Sequence, residues 1–380
     1  MPRVLVVAAL DRSIVNFLLP HISQLKEAGW EVELGYRSTS EWAEREIRSL
    51  DVPWHEIPFS QSPLDLVNLK AVWRLKGILS RGNYDVIHVH MPVAAWLARL
   101  AARLFSPQTT VIYTAHGFHF YHGAPVLKNI VFLALEKLAG RWTDYLVVIN
   151  QEDAKAARRY HIVDPERVRY MAGIGVDTTL YDPARVDGAE VAGIRQAMDL
   201  KDTDVLFSMV AAFRPRKRHS DALRALARLQ DPRVHVAFAG LGSLMQQMRA
   251  YGQDLNIAGQ VHFLGYRRDV PALIRASLTT VLPSEAEGLP RTVMESLALE
   301  VPVIGTDIRG TRELLEDGCG ILVPVGDVQA LTEAMRWMIT HPDEAAAMGR
   351  RGRRKVQGPY ELRNALKATE ILYQEVLNLE

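Results

Sequence analysis

The chain has 380 residues, of which 48% are hydrophobic and 23% charged, and its formal net charge is +1. This length favours two domains over one, and the composition argues against a disordered chain. The balanced charge gives no reason to expect nucleic acid as a partner. A single cysteine, Cys319, excludes an internal disulfide and any cysteine-rich metal site.

The amino-terminal sequence MPRVLVVAAL contains an apolar run that stops at Asp11, with no cleavage pattern after it. It therefore predicts a first buried strand rather than a targeting segment. No apolar run approaches the roughly 18 residues that would span a bilayer. We expect a cytoplasmic protein that is either free in solution or peripheral on the inner face of the cell membrane.

The first half of the chain alternates apolar runs typical of strands with amphipathic segments typical of helices. The predicted strands cover residues 4–9, 32–36, 86–90, 110–114 and 145–149. Helical patterns fall between them, for example over residues 18–28 and 64–79. Strands that alternate with helices predict a parallel sheet joined by right-handed crossovers.

A second alternating series follows, with predicted strands at residues 205–210, 234–239, 261–264, 278–282 and 301–305. The turn-rich segment 172–187 is the best candidate for the joint between the two series. The sequence therefore predicts an α/β protein of two facing Rossmann-like domains with a cleft between them. Ligands of such sheets bind at the carboxyl ends of the strands.

Residues 281–306, VLPSEAEGLPRTVMESLALEVPVIGT, predict a strand, a loop, a helix opened by Pro290 and a second strand. The unpaired amides and the dipole at such a helix start favour an anion, most often phosphate. Glu287 in the loop and Glu295 on the helix frame this start, and carboxylates suit the paired hydroxyls of a sugar or ribose. The pattern predicts a nucleotide-sugar pocket. The alternative is that Glu287 only favours the helix dipole and Glu295 lies on a solvated helix face.

The same stretch resembles the signature of retaining glycosyltransferase family 4, in which two glutamates with seven residues between them follow a strand ending in Pro-Ser. The resemblance rests on Pro283-Ser284, Glu287-Gly288-Leu289-Pro290, Glu295, Val301-Pro302-Val303-Ile304, Gly310, Glu313 and Asp317-Gly318, in this order. It implies a donor-sugar contact for Glu287 and a ribose contact for Glu295. Many members have Phe-Gly where this chain has Leu289-Pro290, and Pro290 offers no N–H for a backbone contact.

The resemblance also implies the GT-B fold, in which the last helix crosses back to the first domain. We assign that helix to residues 361–378. The expected acceptor-side domain then covers residues 1–172 with 361–380, and the expected donor-binding domain covers residues 173–360.

A basic stretch, VAAFRPRKRH over residues 210–219, follows the first strand of the second domain. Such cations could neutralise a leaving diphosphate, where charge develops as a sugar–phosphate bond breaks, although a solvated basic loop is the alternative. The family carries an Arg and, five positions later, a Lys as diphosphate ligands. Lys217 matches the Lys, whereas Ala212 stands at the Arg position, so Arg214 or Arg216 is expected to substitute. The expected donor site also includes Tyr266, Arg267, Gly288 and Leu289.

His116 lies just past a predicted strand, in the sequence YTAHG over residues 113–117. Lone histidines are more often structural, but this segment resembles the family's Thr-x-His-Gly, whose histidine lies near the donor sugar. The resemblance thus implies a catalytic role for His116, beside Glu287 and Lys217. His88 and His90 end another predicted strand, and with no third ligand nearby in sequence we predict no metal site there.

Charge is uneven along the first domain. Between residues 66 and 143 there are nine basic residues and two acids, with aromatic residues interleaved. Many of the aromatic residues must fill the core, but the surplus of cations predicts an anionic partner, such as a membrane surface or a lipid-linked diphosphate. Lys70, Arg74 and Arg81, on the helix predicted over residues 64–79, are the best candidates for that contact.

These patterns and the resemblance together predict a hexosyltransferase that uses a nucleotide-diphosphate sugar, expected to be a UDP-sugar. Residues 111–150 carry a finer likeness to bacterial enzymes that build capsule or exopolysaccharide units on lipid-diphosphate carriers, which implies a lipid-linked saccharide acceptor. Retention of configuration and independence from metal are implied by the family, and no cofactor is expected beyond the donor. Two alternatives stay open: a UDP-sugar epimerase of similar fold, and a non-catalytic module that binds nucleotide sugars or lipids.

Overall fold

The computed structural model describes residues 1–60 and 62–377 and divides into two compact units. Unit 1 comprises Met1–Ile174 and the chain from Ala365 onward, and unit 2 comprises Gly175–Asn364. Each unit contains one sheet of parallel strands with helices between them. The prediction of an α/β chain with two Rossmann-like domains is confirmed.

Unit 1 is built on seven parallel strands in the order β3-β2-β1-β4-β5-β6-β7. Its strands are β1 (Arg3–Leu10), β2 (Glu31–Arg37), β3 (Trp54–Glu56), β4 (Val86–His90), β5 (Thr110–Ala115), β6 (Tyr145–Val148) and β7 (Val168–Tyr170). Its helices are α1 (Asp11–Phe17), α2 (Leu19–Glu27), α3 (Glu41–Arg48), α4 (Val67–Gly82), α5 (Pro92–Phe105), α6 (Val126–Gly140) and α7 (Gln151–Arg159).

Alternate residues of β1 point into two different cores, because side chains alternate across a strand. Leu5 and Val7 join a cluster that includes residues of α4 and α5, with Phe132 and Leu133 of α6 packed against it. Val6 joins a second cluster with residues of α1, α2 and α3. Helices α4 to α6 therefore cover one face of this sheet, and α1 to α3 cover the other.

Unit 2 is built on six parallel strands in the order β10-β9-β8-β11-β12-β13. Its strands are β8 (Val205–Val210), β9 (Val234–Ala239), β10 (Val261–Gly265), β11 (Thr279–Leu282), β12 (Val303–Thr306) and β13 (Gly320–Val323). Its helices are α8 (Gly188–Ala197), α9 (His219–Leu229), α10 (Met245–Asp254), α11 (Val270–Arg275), α12 (Arg291–Ala298), α13 (Arg309–Leu315), α14 (Val328–Thr340) and α15 (Pro342–Val356). The strand order reverses between β8 and β11, and such a reversal is where α/β sheets form ligand crevices.

The last helix, α16 (Leu362–Leu377), returns the chain to unit 1. Its residues Leu372, Tyr373 and Val376 are buried in the core that also holds α1 and α2. The helix predicted over residues 361–378 thus begins one residue later than expected, and residues 378–380 lie outside the described part of the chain. No helix among the described residues is long and apolar enough to cross a membrane.

Candidate functional site

The loops that follow β8 and β11 meet at the strand-order reversal of unit 2. Lys217 follows β8, and its Nζ donates to Oε1 of Glu287, which follows β11, at 2.5 Å. Their side chains are only 17% and 9% exposed. A second bond joins the same loops, because the Glu285 N–H donates to the Arg216 carbonyl at 2.8 Å. Two residues predicted to be catalytic therefore form one largely buried ion pair.

The loop that carries Glu287 is fixed by its neighbours. Arg309 Nε donates to the Glu287 carbonyl at 2.8 Å. At Gly310, a Cβ would lie 1.9 Å from the Gly288 carbonyl oxygen, so a larger residue does not fit there without movement of the backbone. Leu289 is buried. The start of α13 therefore holds Gly288 and Leu289 in place and sets the position of Glu287.

Helix α12 begins directly after Pro290, which occupies its N-cap, so the predicted order of strand, loop, helix and strand is confirmed. Glu295 on this helix is 6% exposed. Its Oε1 accepts from Tyr181 Oη at 2.8 Å and from Arg291 Nε at 2.7 Å. Burial and the neighbouring Glu295 carboxylate both raise the pKa of Tyr181. The alternative that Glu295 lies on a solvated helix face is wrong.

The other cations predicted for the donor site differ in whether they are paired with an acid. Arg214 and Arg216 are exposed, and within residues 1–60 and 62–377 neither side chain forms an ion pair or a hydrogen bond. In contrast, Arg267 Nε donates to Asp269 Oδ1 at 2.7 Å in the loop after β10, and Tyr266 beside it is 56% exposed. The positive charge left open near Lys217 is therefore that of Arg214 and Arg216.

Comparison with known proteins places this geometry in a family. The family model described as "Glycosyl transferases group 1" matches residues 192–355, and the "Glycosyl transferase 4-like domain" model matches residues 17–172. EpsD of Bacillus subtilis (strain 168), a protein named as a glycosyltransferase, is 32% identical over 93% of this chain and 91% of its own. This chain belongs to the group 1 glycosyltransferases. The resemblance found in the sequence motifs is thereby confirmed.

Other relatives of this glycosyltransferase are more distant. The Escherichia coli protein named UDP-Gal:alpha-D-GlcNAc-diphosphoundecaprenol alpha-1,3-galactosyltransferase is 28% identical over 70% of each chain. The crystal structure of Anabaena HepE in complex with UDP-glucose superimposes with a TM-score of 0.80 at 17% identity, covering 99% of this chain and 100% of HepE. The structural likeness supports the same fold, GT-B.

His116, the remaining residue predicted to be catalytic in this glycosyltransferase, lies in unit 1 within a cluster of histidines. His116 Nε2 lies 3.1 Å from His90 Nδ1, and His88 bonds to Thr114 Oγ1 at 2.7 Å and to Tyr373 Oη at 2.8 Å. Together with His21 these histidines line a cavity of about 40 Å³, which is large enough to hold water. Burial lowers the pKa of His116 to about 4 and that of His88 to about 3. The cluster is therefore neutral at pH 7.

The histidine cluster has no metal geometry: across the described residues, no three His, Cys, Asp or Glu side chains are arranged to hold an ion. His88 instead forms hydrogen bonds from both ring nitrogens.

Sequence reasoning missed several partners of the site residues. Arg291 stands four residues before Glu295, so helical spacing could have paired them. Tyr181 is 114 residues from Glu295, and nothing local marks it. His21 likewise gives no signal beyond its own side chain.

Proposed function

We propose that this glycosyltransferase moves a sugar from a UDP-sugar to a hydroxyl of a lipid-linked saccharide, with retention of anomeric configuration. The observation that carries the proposal is the ion pair between Lys217 and Glu287 at the strand-order reversal of unit 2. A cation and a carboxylate at the end of the same crevice match the two halves of a sugar diphosphate. The cation suits the diphosphate, and the carboxylate suits the sugar hydroxyls.

In the proposed reaction, the bond from the anomeric carbon to the diphosphate oxygen breaks and the diphosphate leaves with the electron pair. The acceptor hydroxyl oxygen forms the new bond to that carbon, and its proton passes to the departing diphosphate oxygen. Lys217 stabilises the charge on the departing diphosphate, supported by the amides at the start of α12. When Lys217 pairs with the diphosphate instead of with Glu287, the Glu287 carboxylate becomes free to accept hydrogen bonds from the sugar hydroxyls.

The remaining donor roles follow from what each residue contacts. Glu295 accepts two bonds on one oxygen, fewer than the roughly four acceptor sites of a carboxylate, so it has capacity for ribose hydroxyls. Arg214 and Arg216 are the candidates for the family arginine missing at Ala212, because their charges are not paired with a described acid. We assign Tyr266, Arg267, Gly288 and Leu289 to the rim of the donor site. With these cations in place, the transfer is proposed to need no divalent metal.

Two comparisons support the choice of substrates. HepE was crystallised with UDP-glucose, and the name of the Escherichia coli relative specifies a UDP-sugar donor and a diphosphoundecaprenol-linked acceptor. EpsD, with the greater identity, is named as a glycosyltransferase, and the likeness of residues 111–150 to capsule and exopolysaccharide enzymes is our ground for proposing a place in that synthesis. His116 is proposed to lie near the transferred sugar, as a neutral imidazole that accepts or donates one hydrogen bond. Because the proposed acceptor is carried on a lipid, we propose that the reaction takes place at the inner face of the cell membrane.

Two experiments test the proposal. A thermal-shift screen against nucleoside diphosphates and their sugars should raise the melting temperature with one base, because a ligand at 100 times its Kd stabilises the folded state by about 2.7 kcal/mol. Incubation of radiolabelled UDP-sugars with a lipid extract should then move label into the lipid fraction, with unchanged yield after chelation of divalent metal. Label that stays water-soluble in a new sugar would instead identify an epimerase. Binding with no turnover would identify a non-catalytic module.

A further inference from the structure

The outward face of α6 is apolar, whereas a surface helix normally presents polar residues to solvent. Its side chains at the surface are Val126, Leu127, Ile130, Val131, Leu135 and Leu138, between 38% and 75% exposed. With 3.6 residues per turn, Leu127, Ile130, Val131 and Leu138 fall within a sector of roughly 100°. The opposite side of α6 packs through Phe132 and Leu133 on the core of unit 1. An exposed apolar face of this length indicates a surface that contacts another protein or a membrane.

The charge around this face has one sign. Helices α4, α5 and α6 carry eight basic residues and one acid. That acid, Glu136, is buried and accepts from the fully buried Arg99 at 3.0 Å, so the two charges offset each other. The seven basic residues left on these helices are Lys70, Arg74, Lys76, Arg81, Arg103, Lys128 and Lys137. Lys128 and Lys137 lie on the two flanks of the apolar sector of α6.

The three helices are neighbours on one face of the sheet. Lys76 of α4 lies 5.4 Å from the centre of the Phe105 ring of α5, and Trp96 Nε1 of α5 donates to the Leu135 carbonyl of α6 at 3.3 Å. Helix α4 adds two exposed apolar side chains, Leu69 and Trp73. We call the outward side of α4, α5 and α6 the α4–α6 surface.

A groove borders the carboxyl end of α6. It is lined by Lys137, Leu138, Arg141, His161 and Asp164, among others. Leu138 belongs both to the apolar sector and to this groove. The apolar face therefore runs directly into a concave site that contains two cations, Lys137 and Arg141.

We propose that the α4–α6 surface docks on an anionic bilayer. In this mode the apolar sector of α6 enters the boundary between headgroups and acyl chains, while the flanking cations contact lipid phosphates. The groove at the end of α6 then receives an anionic headgroup. The inference goes beyond sugar transfer, and it does not depend on the identity of the donor.

The charges favour a bilayer over a second copy of this chain. In a twofold-symmetric dimer the same patch meets itself, which would bring the cations of both copies together. Protein interfaces are also depleted in lysine. A bilayer with acidic lipids instead supplies both the apolar layer and the opposite charge.

The test is flotation of the full chain with vesicles of phosphatidylcholine alone and of phosphatidylcholine mixed with phosphatidylglycerol. We expect binding to the mixed vesicles that weakens as salt is added, because these charges are screened. The variant Leu127→Ser/Ile130→Ser/Leu138→Ser should bind the vesicles at least about tenfold more weakly, since three side chains no longer bury apolar surface at the acyl boundary. The variant Lys128→Glu/Lys137→Glu should lose at least about 25-fold, at about fivefold for each cation near the bilayer.

Matched controls lie on the other face of the same sheet. Ile371 of α16 is 55% exposed, so Ile371→Ser removes a comparable apolar side chain there. Arg45→Glu/Arg48→Glu on α3 reverses two exposed cations. Both controls should bind like the unchanged protein. Equal flotation on phosphatidylcholine alone, retained binding by both α6 variants, or equal loss in the controls would overturn the proposal. A dimer in light scattering that the α6 variants abolish, without vesicle binding, would also overturn it and assign the face to a second copy.

Discussion

Glu295→Ala separates the two roles that the structure gives this carboxylate. The sequence predicts that the change weakens nucleotide binding and leaves the fold intact, and the structure adds a cost in stability. The variant leaves the Tyr181 hydroxyl and the Arg291 guanidinium without the acceptor that both use. A hydrogen bond to a charged group contributes about 1.5–3 kcal/mol. Because the Arg291 side chain is 39% exposed, solvent replaces part of its bond, and we expect a total loss of about 2–3 kcal/mol.

This loss is large enough to measure by heat. In a domain of this size, 1 kcal/mol lowers the melting temperature by roughly 2–4 °C, so Glu295→Ala should melt about 4–12 °C below the unchanged protein. Glu295→Gln keeps an oxygen for the tyrosine and should lose less. Glu333→Ala on α14, which removes an exposed glutamate of the same unit, is the control and should melt as the unchanged protein does.

Binding is measured separately, by calorimetry with UDP at a temperature where every variant is folded. Glu295→Ala should bind UDP at least about threefold more weakly than the control Glu333→Ala does, because one good hydrogen bond to a ribose hydroxyl contributes about 1 kcal/mol. A variant that loses stability but binds UDP normally would show that Glu295 is structural. A variant with unchanged melting and unchanged binding would refute the reasoning from both burial and the ribose contact.

Three further predictions test other parts of the molecule. Lys217→Ala should lower kcat about 100-fold to 1,000-fold, with the loss retained in a double variant that adds Glu287→Gln; a silent Lys217→Ala would remove the proposed diphosphate site. His116→Ala should lower transfer rates and leave UDP affinity unchanged, since the proposed nucleotide ligands are in unit 2, and an equal loss of affinity would contradict this. The third prediction concerns pH. Because the folded protein lowers the pKa of His88 to about 3 and that of His116 to about 4, the unfolded chain binds more protons than the folded chain below about pH 6.5. Stability should therefore be full well above this pH and fall towards pH 5 in denaturant titrations, with His88 and His116 together contributing up to about 4 kcal/mol of the loss, a contribution that His88→Gln should reduce.

The strands predicted from sequence are the ones in the interior of each sheet, together with β10. Three strands were not predicted from sequence: β3 and β7 at the two edges of the first sheet, and β13 at an edge of the second. Each has three or four residues, and apart from Val168 and Val323 their residues are half-buried or exposed. A strand that pairs on one side only needs no continuous apolar run, so hydrophobic patterning does not mark β3 or β7. In β13 the apolar run covers only residues 321–323, which is shorter than the four to eight residues that indicate a buried strand.

In the candidate site, features set by neighbouring residues could be predicted, whereas contacts between residues far apart in the sequence could not. The strand, loop, helix and strand around Pro290 follow from proline placement and helical spacing, which act over a few residues. The contact between Lys217 and Glu287 joins residues 70 apart and depends on β8 and β11 being neighbours in the sheet. No pattern within a single sequence predicts that β8 and β11 are neighbours. Strand prediction put both residues at strand ends of the second domain, and the family resemblance assigned them to one site.

The histidines of unit 1 show why side-chain chemistry is harder to predict than strand positions. His88 and His90 are two residues apart, so they share one face of β4, and their ring centres lie 4.3 Å apart. Their sequence pattern is equally compatible with metal ligands, with charged groups facing an anion, or with buried neutral imidazoles. Burial decides among these, because it removes water from the charged form, and burial here is supplied by Tyr373 at the far end of the chain and by His21 on α2. A neutral, hydrogen-bonded cluster next to His116 holds that ring in place at pH 7, so the predicted sugar contact of His116 rests on residues from four separate segments of unit 1.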